Sequence, residues 1–210
     1  MRRHFWIKAI GISALMSLFF FAYFHVLHHP DPASPVVEMP LTALDRAIAF
    51  QPSWLAAYLT LWLYVGIPPG FFVQLRGLLL YWAWIAALCA AGLTIFYFWP
   101  TAVPPLDPSV DLAQSPAFTI LQGVDAAGNA CPSLHVATAI FSAVWLHRWL
   151  PRLGAPVSVR AGNWIWCALI VYSTVAIRQH VVLDVLAGIA LGLAFAWPAT
   201  RWVPVDDGPR

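Results

Sequence analysis

Long apolar runs separated by short polar segments are the dominant pattern along this chain. Six runs are long enough to cross about 30 Å of hydrocarbon as helices, with the fourth at the lower limit. They cover residues 5–27, 54–73, 78–99, 132–150, 162–179 and 181–197. The pattern predicts an all-α integral membrane protein, in which residues 1–210 form a single domain built as a bundle of six transmembrane helices.

The segments between the runs add two further elements. A proline-rich segment leads into residues 41–48, where apolar residues three and four apart predict a short amphipathic helix on the membrane surface. Within it, Asp45 and Arg46 are interpreted as a local ion pair. A second proline-rich segment, residues 100–131, is expected to be irregular. A signal peptide is an alternative for the first run, but its apolar core is longer than usual, so we expect a retained helix.

The composition agrees with a membrane protein. Hydrophobic residues make up 61% of the chain and charged residues 10%, whereas roughly a quarter of the residues of a soluble domain are charged. Most of the 12 tryptophans lie near the ends of the apolar runs, as in the aromatic belts at membrane interfaces. The net charge of +2 is too small to indicate a nucleic-acid partner, and three cysteines provide no disulfide framework.

The basic residues predict the orientation in the membrane. If the N-terminus is cytoplasmic, nine lysines and arginines fall on the cytoplasmic side and two on the outer side. The cytoplasmic set is Arg2, Arg3, Lys8, Arg76, Arg148, Arg152, Arg160, Arg201 and Arg210. The outer pair is Arg46 and Arg178. By the positive-inside rule, both termini are therefore expected in the cytoplasm.

Two short polar clusters interrupt the apolar pattern, at residues 129–135 and 178–184. The first reads Asn-Ala-Cys-Pro-Ser-Leu-His and the second Arg-Gln-His-Val-Val-Leu-Asp. In the predicted topology the fourth run begins, the fifth ends and the sixth begins on the outer side. Both clusters then lie near the outer membrane–water interface. Ionisable side chains at this depth are costly to keep and indicate a functional site.

The second cluster carries a histidine–carboxylate pair and an arginine. His180 and Asp184 are four residues apart, a spacing that places both on one face of a helix. The carboxylate can accept the imidazole N–H and leave the opposite ring nitrogen as a nucleophile or base. A polar pair that only holds two helices together is the alternative. Arg178 has paired N–H donors that suit phosphate, although an arginine reaching toward the interface is the simpler interpretation of this residue alone.

The first cluster places a second histidine at the same depth. His135 lies about one turn into a helix expected to begin near Pro132. The N–H groups of Ser133 and Leu134 and the helix dipole favour a phosphate, and the Ser133 hydroxyl can donate a further bond. An ordinary helix start with an interfacial histidine is the alternative. The prediction becomes specific because two histidines, an aspartate and an arginine converge at one level.

The sequence offers less support for three other kinds of site. His25, His28 and His29 follow the first run, but no matching ligand cluster accompanies them. A serine hydrolase using Ser133 with His135 lacks the Gly-x-Ser-x-Gly turn. A zinc ion held between the two clusters is conceivable. We expect no metal and no other cofactor.

The two clusters resemble the motifs of the type 2 phosphatidic acid phosphatase (PAP2) superfamily of membrane lipid phosphatases and phosphotransferases. That family has a Pro-Ser-Gly-His-like motif, here Pro-Ser-Leu-His at residues 132–135, and a Ser-Arg-x5-His-x3-Asp motif, here running from Ser173 to Asp184. The resemblance covers most of the chain and is strongest to the branch that contains inositol phosphorylceramide synthases. Thr174 stands where the wider family has arginine, and Arg178 is expected to take over phosphate binding.

The resemblance implies a role for each site residue. His180 attacks phosphorus and forms a phosphohistidine, Asp184 orients His180, and His135 protonates the leaving alcohol and then activates the acceptor. Arg178 and the N–H groups at the start of the fourth helix would stabilise the phosphoryl oxygens. No metal or cofactor is implied, and the expected partners are a lipid phosphate substrate and the bilayer.

Two enzymatic functions use the same residues. A lipid phosphate phosphatase transfers the phosphoryl group to water, which the short outer loops and the lack of a soluble domain favour. A phosphotransferase uses a lipid or polyol hydroxyl, which the similarity to inositol phosphorylceramide synthases favours. We expect the phosphatase, in a bacterial inner membrane with the site facing the periplasm or exterior; a non-catalytic membrane scaffold is the third possibility.

Overall fold

The computed structural model describes residues 5–106 and 129–203, which are mainly helical, and this confirms the all-α class. Its α-helices are α1 (Phe5–His28), α2 (Ala43–Ala47), α3 (Leu55–Gly66), α4 (Leu75–Phe98), α5 (Leu134–Arg152), α6 (Val157–Ala176) and α7 (Val182–Trp202). Short 3-10 helices at Pro52–Trp54 and Pro68–Phe71 flank α3, and β1 (Val37–Glu38) pairs in parallel with β2 (Thr101–Ala102). Most of the second proline-rich segment lies outside the described residues.

Within residues 5–106 and 129–203, three helices are long and apolar enough to cross a membrane: α1, α4 and α7. Helices α5 and α6 have 19 and 20 residues. Helix α3 has only 12 residues, because Pro68 and Pro69 lack the N–H groups that would continue it and begin a 3-10 helix instead. The second apolar run is therefore a series of short helical pieces rather than one continuous helix. Large apolar side chains are exposed along α1, α4, α6 and α7, as expected for surfaces that face lipid.

Helix α5 is the centre of the bundle. It buries eleven of its 19 residues, whereas α1 buries two of its 24. Trp145 and Phe141 of α5 pack against Tyr81 of α4, and Trp145 also contacts Phe72 before that helix. Because α5 is packed on several sides, its first turn is a rigid support for side chains at that end of the bundle.

Two glycines bring α7 close against α5. A Cβ atom on Gly188 would lie 2.5 Å from the carbonyl oxygen of Ser133, and one on Gly192 would lie 2.7 Å from that of Ala137. Both carbonyl groups belong to the backbone, so larger residues at these positions would push the two helices apart. The close contact reaches the starts of both helices, where the two polar clusters lie.

Contacts at each end of the bundle show which helix ends lie together. At one end, Lys8 of α1 donates a hydrogen bond of 2.9 Å to the carbonyl oxygen of Gly70, just before α4. At the other end, the strands that follow α1 and α4 pair, and the N–H of Gln51 donates to the carbonyl oxygen of Ala176 at the end of α6. The starts of α3, α5 and α7 lie at this second end, together with the candidate site.

Candidate active site

Three of the predicted site residues form a row. His135 is the second residue of α5, His180 lies in the turn between α6 and α7, and Asp184 is the third residue of α7. His135 Nδ1 is 3.3 Å from His180 Nε2, and His180 Nδ1 is 3.6 Å from Asp184 Oδ2. His180 is 5% exposed and Asp184 is fully buried. The two clusters, whose histidines are separated by 45 residues, are thus brought together as the topology predicts.

The contact between His180 and Asp184 depends on the start of α7. His180 precedes this helix, so the pair does not lie across one helical face as the spacing predicts. Asp184 Oδ2 accepts the N–H of Val181 at 2.9 Å, which turns the carboxylate back toward the loop that carries His180. The backbone carbonyl of Asp184 accepts the N–H of Ser133 at 3.0 Å. Asp184 therefore joins the two helix starts that carry the histidines.

Ser133 has a structural role at the start of α5. Its Oγ accepts the N–H of Val136 at 3.2 Å, and its own N–H is the donor to Asp184. Ser133 is the N-cap of the helix and satisfies its first turn. It is fully buried and its N–H is engaged within the protein, whereas its hydroxyl accepts one bond and keeps its own hydrogen as a donor. The phosphate-binding role of this hydroxyl stays a prediction. The side chain of Leu134 lines the cavity described below.

Arg178 contacts a neighbouring segment. Its Nη2 donates a hydrogen bond of 2.9 Å to the carbonyl oxygen of Ile48, and its φ of 56° lies in the left-handed region that non-glycine residues rarely adopt. The N–H groups of Gln179 and His180 both donate to the carbonyl oxygen of Thr174. Thr174 thus supports the turn that positions His180. The phosphate-binding role of Arg178 stays a prediction.

A cavity of about 750 Å³ opens beside the two histidines. Its walls come from α1, α3 and α4, and they are mainly apolar, with Leu15 and Phe19 among the side chains contributed by α1. The polar lining side chains include Asn129, Gln179 and the two histidines. A mainly apolar cavity with a few convergent polar groups fits a ligand that has a hydrocarbon chain and a polar head.

Two residues that contact the site carry almost no signal in the sequence. The hydroxyl of Tyr58, in α3, is 2.6 Å from His135 Nε2. Asp45, in α2, accepts the N–H of Val182 at the start of α7 through Oδ1. The hints in the sequence are a tyrosine near the start of the second apolar run and the Asp45–Arg46 pair of the surface segment, which the sequence alone suggests is a local ion pair.

The carboxylate of Asp45 is buried and fully engaged. Oδ2 accepts the N–H and the hydroxyl of Thr42 at 2.8 and 2.6 Å, while Oδ1 accepts the Val182 N–H at 2.8 Å. These contacts replace the local ion pair with Arg46 that the sequence suggests. Burial acts to raise the pKa of Asp45, but the hydrogen bonds and the charge of Arg178 outweigh it, so that this pKa lies below its usual value.

The other candidate reactive groups have different surroundings. His28 and His29 each place Nδ1 within hydrogen-bond distance of a carbonyl oxygen one turn earlier in α1, and the rings of His25 and His29 stack. Among residues 5–106 and 129–203, no three His, Cys, Asp or Glu side chains are arranged as metal ligands. Burial, with the charge of Asp184, raises the pKa of the Cys131 thiol to about 11, so this thiol is protonated near neutral pH and is a poor nucleophile.

Comparison with known proteins identifies the family. The family model described as the PAP2 superfamily matches residues 82–206, which include both histidines and the aspartate of the row. No curated protein and no solved structure gives a match. The matched region is more than half of the chain and contains the whole second motif, from Ser173 to Asp184. The chain therefore belongs to the PAP2 superfamily, whose members act as phosphatases and phosphotransferases on lipid phosphates.

Proposed function

We propose that this protein is a membrane lipid phosphate phosphatase that hydrolyses a phosphomonoester through a phosphohistidine on His180. The observation that carries the proposal is the row of His135, His180 and Asp184 next to a large, mainly apolar cavity. A nucleophile, an orienting carboxylate and a separate acid–base group are the parts that a two-step displacement needs.

In the first step, Nε2 of His180 attacks phosphorus while the bond between phosphorus and the lipid oxygen breaks. Asp184, next to Nδ1, stabilises the positive charge that develops on the ring. His135, the other histidine of the row, is proposed to give its proton to the departing lipid oxygen, which leaves in line on the side of phosphorus away from His180. The products of this step are a free lipid alcohol, phosphohistidine and neutral His135.

In the second step, His135 takes a proton from water as the water oxygen attacks phosphorus. The bond between His180 and phosphorus breaks, and inorganic phosphate leaves with the ring nitrogen restored. Arg178 and the N–H of Leu134 are the proposed stabilisers of the phosphoryl oxygens. Nη2 of Arg178 donates to Ile48, and the guanidinium has four further N–H donors for a phosphate.

The proposed arrangement in the membrane has six spans with both termini in the cytoplasm. It is supported by the positive-inside count, and by the contact of Lys8 with Gly70 at the end of the bundle opposite to the site. The site then lies at the outer face, which in a bacterial inner membrane is the periplasmic side. The reacting phosphate would lie at the headgroup level of the outer leaflet, with the lipid chain in the cavity.

A phosphotransferase is the second candidate. In that case a lipid or polyol hydroxyl replaces water in the second step, as in inositol phosphorylceramide synthases. The supporting observation is the low exposure of His180, 5%, beside a mainly apolar cavity that can admit a second lipid more readily than bulk water. A non-catalytic scaffold, the third candidate, does not explain why His135, His180 and Asp184 are held together beside the cavity.

Phosphate release from a lipid panel tests the proposed function. Purified protein is expected to release inorganic phosphate from at least one single-phosphate lipid, at the same rate with and without a chelator. Phosphatidic acid, phosphatidylglycerol phosphate and an isoprenoid phosphate form the panel. Transfer of the phosphoryl group to a second lipid without free phosphate would favour the phosphotransferase, and turnover that needs a divalent metal would count against the phosphohistidine.

Filling the cavity tests whether it holds the lipid chain. Ala86 lines the cavity, whereas Ala87 is exposed and belongs to another face of α4. We expect Ala86→Phe to raise KM for a long-chain lipid phosphate about tenfold, equivalent to losing contact with about two methylene groups at ~0.8 kcal/mol each. KM for p-nitrophenyl phosphate should not change. Ala87→Phe is the matched control, and equal effects of the two changes would mean that the chain binds elsewhere.

A further inference from the structure

The hydroxyl of Tyr58 is close to the acid–base histidine on the side away from His180. It is 2.6 Å from His135 Nε2, and the two rings pack with their centroids 4.8 Å apart. Tyr58 is 2% exposed. His135 therefore has a neighbour at each ring nitrogen: His180 at Nδ1 and Tyr58 at Nε2.

These contacts define a consistent placement of protons. His180 needs a free lone pair on Nε2 to attack phosphorus, so its proton is on Nδ1, facing Asp184. His135 Nδ1 then donates to His180 Nε2, which leaves His135 Nε2 as an acceptor. A tyrosine hydroxyl is both a donor and an acceptor, so Tyr58 can donate to this nitrogen in the resting protein.

The same hydroxyl suits the working states of His135. Uptake of one proton from solvent at Nε2 converts the resting His135 into the acid, with protons on both nitrogens, and its Nε2–H then donates to the oxygen of Tyr58. After Nδ1 has released its proton to the leaving oxygen, the remaining proton stays on Nε2 and the Nδ1 lone pair faces the reacting phosphorus. That lone pair is the base needed in the second step.

We propose that Tyr58 is a positioning residue that holds Nε2 of His135 and thereby reserves Nδ1 for both proton transfers. This inference rests on the proposed function of the site, because it assigns the nitrogen through which His135 acts. Tyr58 itself neither gains nor loses a proton overall. Its hydroxyl reverses from donor to acceptor as the protonation of His135 changes.

A matched pair of substitutions separates this role from packing. Tyr58→Phe keeps the ring against His135 and removes only the hydroxyl. Tyr64→Phe makes the same change in the same helix, but that hydroxyl bonds to Asn163 in α6, at 2.7 Å from its Oδ1. If both tyrosines only support the fold, both variants should lose a similar amount of thermal stability and activity.

Leaving-group dependence is the decisive kinetic readout. We expect Tyr58→Phe to lower kcat for a lipid alkyl phosphate about tenfold or more, within the about 10²–10⁴-fold that general acid–base catalysis contributes. KM should change less than about twofold, since ground-state binding is preserved. The first-turnover burst of p-nitrophenolate from p-nitrophenyl phosphate should be nearly unaffected, because this leaving group needs no proton. Equal losses with both substrates, or losses matched by Tyr64→Phe, would overturn the inference.

A spectroscopic measurement tests the same contact without turnover. In protein labelled with ¹⁵N-histidine, His135 is expected to show a protonated Nδ1 and a hydrogen-bonded, unprotonated Nε2 near neutral pH, with the assignment made from His135→Gln. Tyr58→Phe should move the Nε2 signal and Tyr64→Phe should not. A proton found on Nε2 in the resting protein, or an unmoved signal, would refute the inference even if the proposed function holds. If His180→Ala retains activity while the Nε2 signal moves as expected, the proposed function fails and the contact stands.

Discussion

Replacement of His180 by alanine should abolish turnover of any lipid phosphate, by more than about 10⁴-fold. So large a loss of turnover is expected because His180 is the proposed covalent nucleophile. Without it, only substrate binding and electrostatic stabilisation still accelerate the reaction. The fold should be preserved, because the tie between α5 and α7 is made by the carbonyl of Asp184 and not by the imidazole. Activity is measured as phosphate release in detergent, with thermal unfolding as the check on folding.

A histidine of the central helix α5 that lies away from the site provides the control. His147 lies near the far end of α5, where its Nδ1 contacts Trp164 Nε1 at 3.2 Å. His147→Ala should keep activity within about twofold of the wild type, as expected for a change away from the site. Residual activity of His180→Ala within tenfold of the wild type would exclude the phosphohistidine and favour a non-catalytic protein.

The intermediate itself can be trapped. His135→Ala should still be phosphorylated by p-nitrophenyl phosphate, because p-nitrophenolate leaves without a proton, but hydrolysis of the phosphohistidine then lacks its base. The phosphohistidine on His180 is identified by a labelled phosphoryl group that is stable in alkali and labile in acid. This label should be absent from the His135→Ala/His180→Ala double variant. Failure to label His135→Ala under single-turnover conditions would place the covalent step in doubt.

The sequence predicts the convergence of the two clusters because convergence depends on topology alone. The alternation of apolar runs and loops predicts that residues 135 and 180 lie at the same end of the bundle, and the structure brings their rings within 3.3 Å of each other. The proximity of His180 and Asp184 is also predicted, although it arises through the start of α7 and not through a helical face, and at 3.6 Å the two side chains do not form a hydrogen bond. Family motifs contribute the roles, which geometry alone does not assign.

Contacts made across long stretches of chain are not predictable in this way. Tyr58 and His135 are 77 residues apart, and Asp45 and Val182 are 137 apart. The residues around Tyr58 in the sequence do not show that it contacts His135; the same pattern would suit a tyrosine that faces lipid or the protein core. For Ser133 the local pattern fits both a phosphate ligand and an N-cap; the structure shows the N-cap contact, and the phosphate contact stays a prediction.

Asp45→Ala is expected to damage both stability and activity, although this residue lies outside the row of reacting groups. The change leaves the N–H of Val182 and both donors of Thr42, which are partly buried, without their acceptor. A fully buried donor that loses its acceptor lowers the free energy of unfolding by about 1–3 kcal/mol. Activity should fall further than stability predicts, because Val182 begins the helix whose first turn holds Asp184 against His180.

Two further variants separate charge from shape at this position. Asp45→Asn keeps one oxygen acceptor and should lie between the wild type and Asp45→Ala. Glu38→Ala removes an exposed carboxylate from β1 and should leave unfolding and turnover unchanged. If Asp45→Ala also unfolds at the wild-type temperature with full activity, the link between α2 and the start of α7 does not position the site.

The acid dependence of stability distinguishes the wild type from Asp45→Asn. The pKa of Asp45 in the folded protein is below the value of about 4 for an aspartate in an unfolded chain. The carboxylate therefore contributes its full stabilisation above pH about 4, and this contribution is lost as the pH falls through the lower, folded-state pKa. We expect the stability advantage of the wild type over Asp45→Asn to be constant from pH 7 to about 5 and to shrink below pH 4. Thermal unfolding of both proteins across this range measures the difference, and an advantage that grows on acidification would contradict the assigned hydrogen bonds.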